Sequence, residues 1–168
     1  PAIKSANIGI AMGSGTDVAK DTALMIVMDD SFKSIVKGIK EGRTAYSNIR
    51  KVTYMLLSCG FAEVLFFLLA VLFDMPMPLL AIQILWLNIV TDGIQDFVLS
   101  FEKAEKNILK EKPRDPKESI FNGSLLKEIL VSGLVIGLVV FVVWFFLLNN
   151  LNMEVAKARG YIMALMVF

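Results

Sequence analysis

The sequence predicts a mainly α-helical membrane protein, with three full transmembrane helices plus a truncated fourth, and a small N-terminal α/β piece. Three observations lead there. Apolar residues make up 56% of the 168-residue chain, above the globular norm, and they gather in long blocks. The hydrophobic period changes from short strand-like runs before Asp30 to helical spacing after Ser31. Lys and Arg stay out of the middle of the apolar blocks and collect in alternate connections and at a block end.

The formal net charge of +1 selects no partner, and nothing in the charge pattern suggests nucleic acid. A single cysteine, Cys59, excludes an internal disulfide framework, and the absence of histidine removes the usual soft ligand and acid/base group. Any metal bound here is expected to be hard and oxygen-loving. Pro1 in place of an initiator methionine, and Phe168 inside an apolar run, predict a fragment, and no signal peptide opens it.

Taken in order, Ile8 to Met12 and Leu24 to Met28 read as two short strands around a turn, Gly13-Ser14-Gly15-Thr16-Asp17, and a helix. The glycine-rich turn either cradles a phosphate at a helix N-terminus or simply joins strand to helix; it is neither of the standard nucleotide fingerprints. From Ser31, an expected N-cap, Phe32, Ile35, Val36 and Ile39 share one helix face and Lys33, Lys37 and Lys40 another. No proline interrupts residues 31 to 73, so this stalk (31 to 53), either continuous or broken near Gly42, leads into the first span and offers a rod through which soluble movements reach the membrane.

That span, Tyr54 to Phe73, has the twenty residues needed to cross about 30 Å of hydrocarbon. Glu63 lies at its middle. A very short turn, 74 to 78, leads into a second span, 79 to 100. Within it Asn88, Thr91, Asp92, Gln95 and Asp96 follow the i, i+3, i+4, i+7, i+8 spacing of one α-helical face. An acid at a helix centre in the bilayer costs about 3 kcal/mol on insertion scales, so such groups are normally paired and commonly mark an ion path. The stripe therefore reads as a cation site. An antiparallel pair of spans brings Glu63 and Asn88 to one depth, where Glu63 and Asp92 can share an ion.

Residues 101 to 124 form a polar, proline-punctuated loop (KPRDP), with Asn122 or Ser124 as the cap of a third span, 125 to 148. Gly133 and Gly137 in that span form a GxxxG pair that more often marks close helix packing than chemistry. A polar connection, 149 to 160, precedes the start of a truncated fourth span, 161 to 168. Of seventeen Lys and Arg, eight fall in residues 1 to 53, seven in 101 to 127 and two in 149 to 160. This bias predicts a multi-pass integral membrane protein with residues 1 to 53 and 101 to 124 cytoplasmic.

The run IGIAMGSGTDVAKDTA, then DDSF, EGRTAYSNIRK, the span holding Glu63 and LWLNIVTDG, taken together, resembles the C-terminal part of P-type cation-transporting ATPases of the calcium-pump type. The resemblance implies that residues 1 to 30 close a cytoplasmic phosphorylation domain, a HAD-like Rossmann fold, and that the spans are the family's fifth, sixth, seventh and the start of the eighth. It implies that Glu63, Asn88, Thr91 and Asp92 are ligands of a transported cation, Ca²⁺ by donor type. Gly60 stands where calcium pumps with two sites have an asparagine, which puts one of two sites in doubt. Asp96 stands where the family has a small residue; Asp96 and Gln95 mark either an accessory cation path or a water-exposed polar end. ATP and Mg²⁺ would serve the parent protein at sites outside this chain, which lacks the family's Asp-Lys-Thr-Gly phosphorylation site and its magnesium loop. The implied partners are the lipid bilayer, the transported cation and the missing N-terminal part of the same polypeptide, and no nucleic acid. Two function classes follow: the transport portion of an ATP-driven pump, inactive as a fragment, or a non-enzymatic membrane module or passive channel whose buried acids are paired structurally.

Overall fold

The computed structural model describes residues 1–110, 112–114 and 119–167. It divides into two compact units, Pro1–Tyr46 with Lys103–Lys112, and Ser47–Glu102 with Pro113–Phe168. Asp115 and Pro116 of the expected KPRDP punctuation, and Phe168 of the expected fourth span, lie outside the described residues.

The first unit opens with α1 (Ala2–Ser5), β1 (Ile10–Met12), α2 (Asp17–Thr22) and β2 (Met25–Val27). The strands pair in parallel, with Ile10 opposite Met25 and Met12 opposite Val27. They are shorter than the apolar runs, and at their entrance the Gly9 carbonyl accepts from the Leu24 and Met25 amides at 2.9 and 3.2 Å. The intervening turn brings Gly13 so near Met28 that a Cβ would sit 2.9 Å from the Met28 carbonyl oxygen, so a residue without a side chain is required. Thr16 caps α2 by accepting from the Ala19 amide at 3.4 Å. The Ser14 amide donates to the Asp30 carboxylate at 3.0 Å, so the glycine-rich turn already meets an anion from its own chain. That carboxylate and the neighbouring Asp29 titrate below the usual aspartate range, Asp30 through the bond from Ser14 and Asp29 through the bond from the Ser34 hydroxyl and then the Ser31 amide.

Helix α3 spans Phe32–Leu72, 41 residues that run on through Gly42 without a break. A glycine costs a helix about 1 kcal/mol relative to alanine, too little to interrupt one this long. Ser31 starts it with its carbonyl, which accepts from the Ser34 amide at 3.0 Å. Asp29 adds side-chain bonds, accepting from the Ser31 amide at 3.2 Å and the Ser34 hydroxyl at 2.6 Å.

The second unit holds the remainder of α3 and a helical hairpin partner in three consecutive pieces: α4 (Ala81–Leu87), a π-helical segment (Asn88–Gly93) and α5 (Ile94–Ser100). The connecting turn runs to Leu80, with Asp74 at φ 50° closing α3 and the Leu80 amide donating to the Gln83 side chain at 2.8 Å. Helix α6 spans Gly123–Asn149, capped by the Asn122 side chain, which accepts from the Leu125 amide at 2.9 Å. Gly133 and Gly137 lie directly against α3: a Cβ on Gly133 would stand 2.9 Å from the Ser58 carbonyl oxygen, and one on Gly137 would stand 3.0 Å from that of Ala62. The GxxxG pair is thus a packing face. Helix α7 spans Val155–Val167 and begins inside the stretch expected to be a polar connection. The guanidinium of Arg159 on it donates twice to the Met77 carbonyl, at 2.8 and 3.2 Å, so its charge is used at a helix-to-turn contact.

The core of this unit gathers Phe66 from α3, Leu79 and Leu87, then Val140, Trp144 and Leu147 from α6 and Ala158 and Ile162 from α7. Trp144 is fully buried and meets Phe66 edge-on, with ring centroids 6.4 Å apart at 85°. Helices α3 and α6 are each long and apolar enough to cross a membrane. The expected second span is instead divided by its π-helical segment into pieces of seven, six and seven residues, twenty in all.

Candidate cation site

The π-helical segment is where the site begins. Ile89, Val90 and Thr91 are β-branched and Gly93 follows closely, a run that favours the regular α-helix less than its leucine-rich flanks do. A π turn inserts a residue into the helix and redirects the side chains that follow, and such turns recur at functional positions. Its consequence here is that the five stripe residues do not share one environment. Asp92 is buried at 9% exposure, Thr91 and Asp96 are partly buried, and Asn88 and Gln95 are exposed.

Four of the polar residues named from the sequence still line one cavity of about 400 Å³: Glu63 from α3, Thr91 and Asp92 from the π segment and Gln95 from α5. Asn88 is not part of that lining. Its amide donates to the Ile84 carbonyl at 2.9 Å, one turn back, and its side chain also reaches the Glu63 carboxyl, so it braces the glutamate from the side. Asp96 also stands outside the lining. Ala62 and Leu87, with Val135, Val139 and Val140 of α6 and Leu165 and Met166 of α7, supply the apolar wall.

Cys59 joins the lining too, and the sequence carried the signal for it. It precedes Glu63 by four residues, one helical turn on the same face of α3. The apolar wall had no such signal, because residues facing a cavity and residues facing lipid on α6 are equally hydrophobic.

The donor set consists of two carboxylates, a hydroxyl and an amide oxygen, with the Asn88 amide beside them. That chemistry suits a hard cation, whose ligands are carboxylate, carbonyl and hydroxyl oxygens. Among the described residues no three Asp, Glu, Cys or His side chains converge closely enough to hold a metal ion by themselves. Neutral oxygens must therefore complete any coordination around Glu63 and Asp92. The hydroxyl of Thr91 is buried with no hydrogen-bond partner, which leaves an oxygen free for that purpose.

Residues 76–168 match the family described as "Cation transporting ATPase, C-terminus". A calcium-transporting ATPase of Bacillus subtilis (strain 168) is 46% identical over 138 residues, 82% of this chain and 16% of the relative. A calcium-transporting ATPase of Listeria monocytogenes is 43% identical over 142 residues, 84% of this chain and 16% of the relative. An endoplasmic reticulum-type calcium-transporting ATPase of Arabidopsis thaliana is 40% identical over 148 residues, 86% of this chain and 15% of the relative. The chain spans about one sixth of the length of such relatives. With the profile covering more than half of its residues, the chain belongs to the cation-transporting ATPase family, as a C-terminal region of it.

Proposed function

We propose that the chain is the transport portion of an ATP-driven P-type pump, and that Glu63, Asn88, Thr91 and Asp92 hold the cation in transit. The single observation that carries the reading is the shared cavity. Glu63 of one helix and Thr91 and Asp92 of a π-helical segment line it together with apolar side chains, and Asn88 stands beside Glu63 just outside the lining. Calcium is the cargo that fits best: the ligands are hard oxygens, and the relatives described above are named calcium-transporting.

Residues 1 to 30 would then close a HAD-like phosphorylation domain. In support, β1 and β2 are parallel and joined through α2, while Met25 and Ile26 on β2 are 47% and 41% exposed. Parallel strands are normally covered on both faces, so this pair has the character of part of a larger sheet. ATP and Mg²⁺ act at sites outside these residues, and the phosphorylated aspartate does too. Helices α3, α4 to α5 and α6 cross the bilayer, α7 enters it, and residues 1 to 53 and 101 to 124 face the cytoplasm. The partners are the bilayer, the cation and the rest of the same polypeptide.

The protein does no covalent chemistry at the cation. Two conformations of the pump would hold the Glu63–Asp92 pair differently, and the difference in their affinity for the ion drives uptake on one side and release on the other. In the complete pump, Glu63→Gln and Asp92→Asn should each raise the cation concentration needed for half-maximal ATPase activity by at least tenfold. Unchanged cation affinity in both variants would defeat the assignment. The coding sequence upstream of Pro1 separates a pump from a passive module, since a pump requires the phosphorylation and magnesium motifs there.

A further inference from the structure

Cys59 lines the cation cavity, yet a thiol is a poor ligand for the hard ion proposed above. The residue is partly exposed, so it is not a small apolar filler of the core. Among the described residues it makes no disulfide and no hydrogen bond. Its neighbours are the charged members of the site. Helical side chains lean toward the N-terminus of their helix, so Glu63, one turn further along α3, tilts back over Cys59. The thiol is also within electrostatic reach of the carboxylates of both Asp92 and Glu63. A second polarizable sulfur, the thioether of Met166 on α7, lines the same cavity.

An independent observation shows that this cavity is short of a cation. Asp92 is nine-tenths buried, lines the cavity and receives no hydrogen bond from a described residue, and a carboxylate so placed in a membrane span needs a positive charge beside it. We propose that Cys59 is a specificity-determining ligand of the cavity: its sulfur and the Glu63 carboxylate together admit a thiophilic divalent cation of calcium's size, in competition with Ca²⁺. The thiol gives its proton to water as the metal–sulfur bond forms, and the thiolate and the carboxylate then balance the two charges of the ion. Among the described residues no three acidic or thiol side chains converge, so this pair is completed by neutral donors, the Thr91 hydroxyl and the Gln95 amide oxygen of the same lining or water. The inference rests on the transport reading above and deepens it, adding to the oxygen donors that hold Ca²⁺ a sulfur that Ca²⁺ does not use.

Cd²⁺ is the probe, because it has nearly the radius of Ca²⁺ and differs from it in softness. Displacement of radioactive Ca²⁺ from the purified complete pump by Cd²⁺ gives the ratio of the two affinities. In Cys59→Ser and in Cys59→Ala the preference for Cd²⁺ over Ca²⁺ should fall by about tenfold or more, the loss that even an outer-shell partner of a metal can cause. Loosened packing would weaken both ions together and leave the ratio where it was. Difference ultraviolet spectra give a second readout: the wild type should show a thiolate-to-cadmium charge-transfer band that saturating Ca²⁺ removes, and both variants should lack that band. An unchanged ratio in both variants, or a band insensitive to Ca²⁺, overturns the role of Cys59 while leaving the Ca²⁺ site intact. Wild-type Ca²⁺ affinity in Glu63→Gln and Asp92→Asn would instead remove the transport reading on which it rests.

Discussion

At Gly133 a single hydrogen in place of a side chain decides how closely two membrane helices approach. A Cβ there would lie 2.5 Å from the Phe61 ring and 2.9 Å from the Ser58 carbonyl oxygen, and the second of these is backbone that cannot swing aside. Gly133→Ala should therefore destabilise the complete protein in detergent by about 1–3 kcal/mol, the usual cost of overpacking. Gly137→Ala, whose closest contacts are at 3.0 Å, should cost less, and Gly123→Ala, with open space around it, should cost nothing measurable in thermal unfolding. Equal midpoints for all three would contradict the packing. The spacing of these glycines was readable in the sequence, but which helix they meet was not, because a small-residue pattern names a face and not its partner. Asp29 shows the same division. Ser31 is the obvious cap by position, and its carbonyl does accept from the Ser34 amide, yet the side-chain bonds come from the aspartate two residues earlier, since a turn can bring either side chain to the helix start. Its folded carboxyl titrates below the ordinary value, so the local stabilisation is full above about pH 3.9 and is lost as pH falls through the lower folded value. Amide exchange at Ser31 should open in that acid range in the wild type, whereas Asp29→Asn should be open to the same extent throughout. A wild-type amide protected equally across the range would refute the cap.

The elements differ in how openly their sequence declares them. Helix α6 was legible almost to its ends because an uninterrupted apolar run, an asparagine before it and polar residues after it all agree. The π-helical segment was not, since hydrophobic spacing distinguishes helix from strand but does not reveal one extra residue in a turn. What the sequence did contain was its local cause, three β-branched residues and a glycine in succession. Thr91→Leu should favour regular α-helix there and turn Asp92 away from Glu63, giving the complete pump a weaker cation response than loss of one hydroxyl alone, which Thr91→Val reports. Equal responses in the two variants would show that helix geometry is not the cause. Helix α3 offers the converse case. Gly38 and Gly42 are helical, with no atom of another element within 4 Å of an added Cβ, so neither is needed for packing. Replacing each by alanine should stabilise the helix by about 0.5–1 kcal/mol, seen as slower amide exchange along residues 34 to 44. Faster exchange in either variant would mean that the glycine serves a bend absent from this structure.

For the molecule as a whole, charge distribution is the property that the sequence states most directly and that the helices give a meaning. Eight of the seventeen basic residues precede residue 54, seven fall in 101 to 127, and two lie in α7. Arg159, one of those two, is engaged with the Met77 carbonyl, so the connections at that end, 73 to 80 and 150 to 154, carry little free positive charge. The second span is divided by its π segment, yet its twenty residues suffice for a crossing. If α3, the α4-to-α5 helix and α6 all cross, then residues 101 to 110 lie on the face opposite residue 77 and residue 150. If the divided helix only re-enters, residues 101 to 110 share the face of residue 77. Single cysteines distinguish these arrangements. With Cys59 replaced by serine in the complete protein, Lys106→Cys should react with a membrane-impermeant maleimide only from the cytoplasmic face of oriented vesicles, and Asn150→Cys and Met77→Cys only from the other. Labelling of Lys106→Cys and Met77→Cys from one face would show that the divided helix does not span. It would also remove the depth match between Glu63 and Asn88, because an antiparallel crossing is what brings a mid-membrane glutamate on α3 level with the middle of the divided helix.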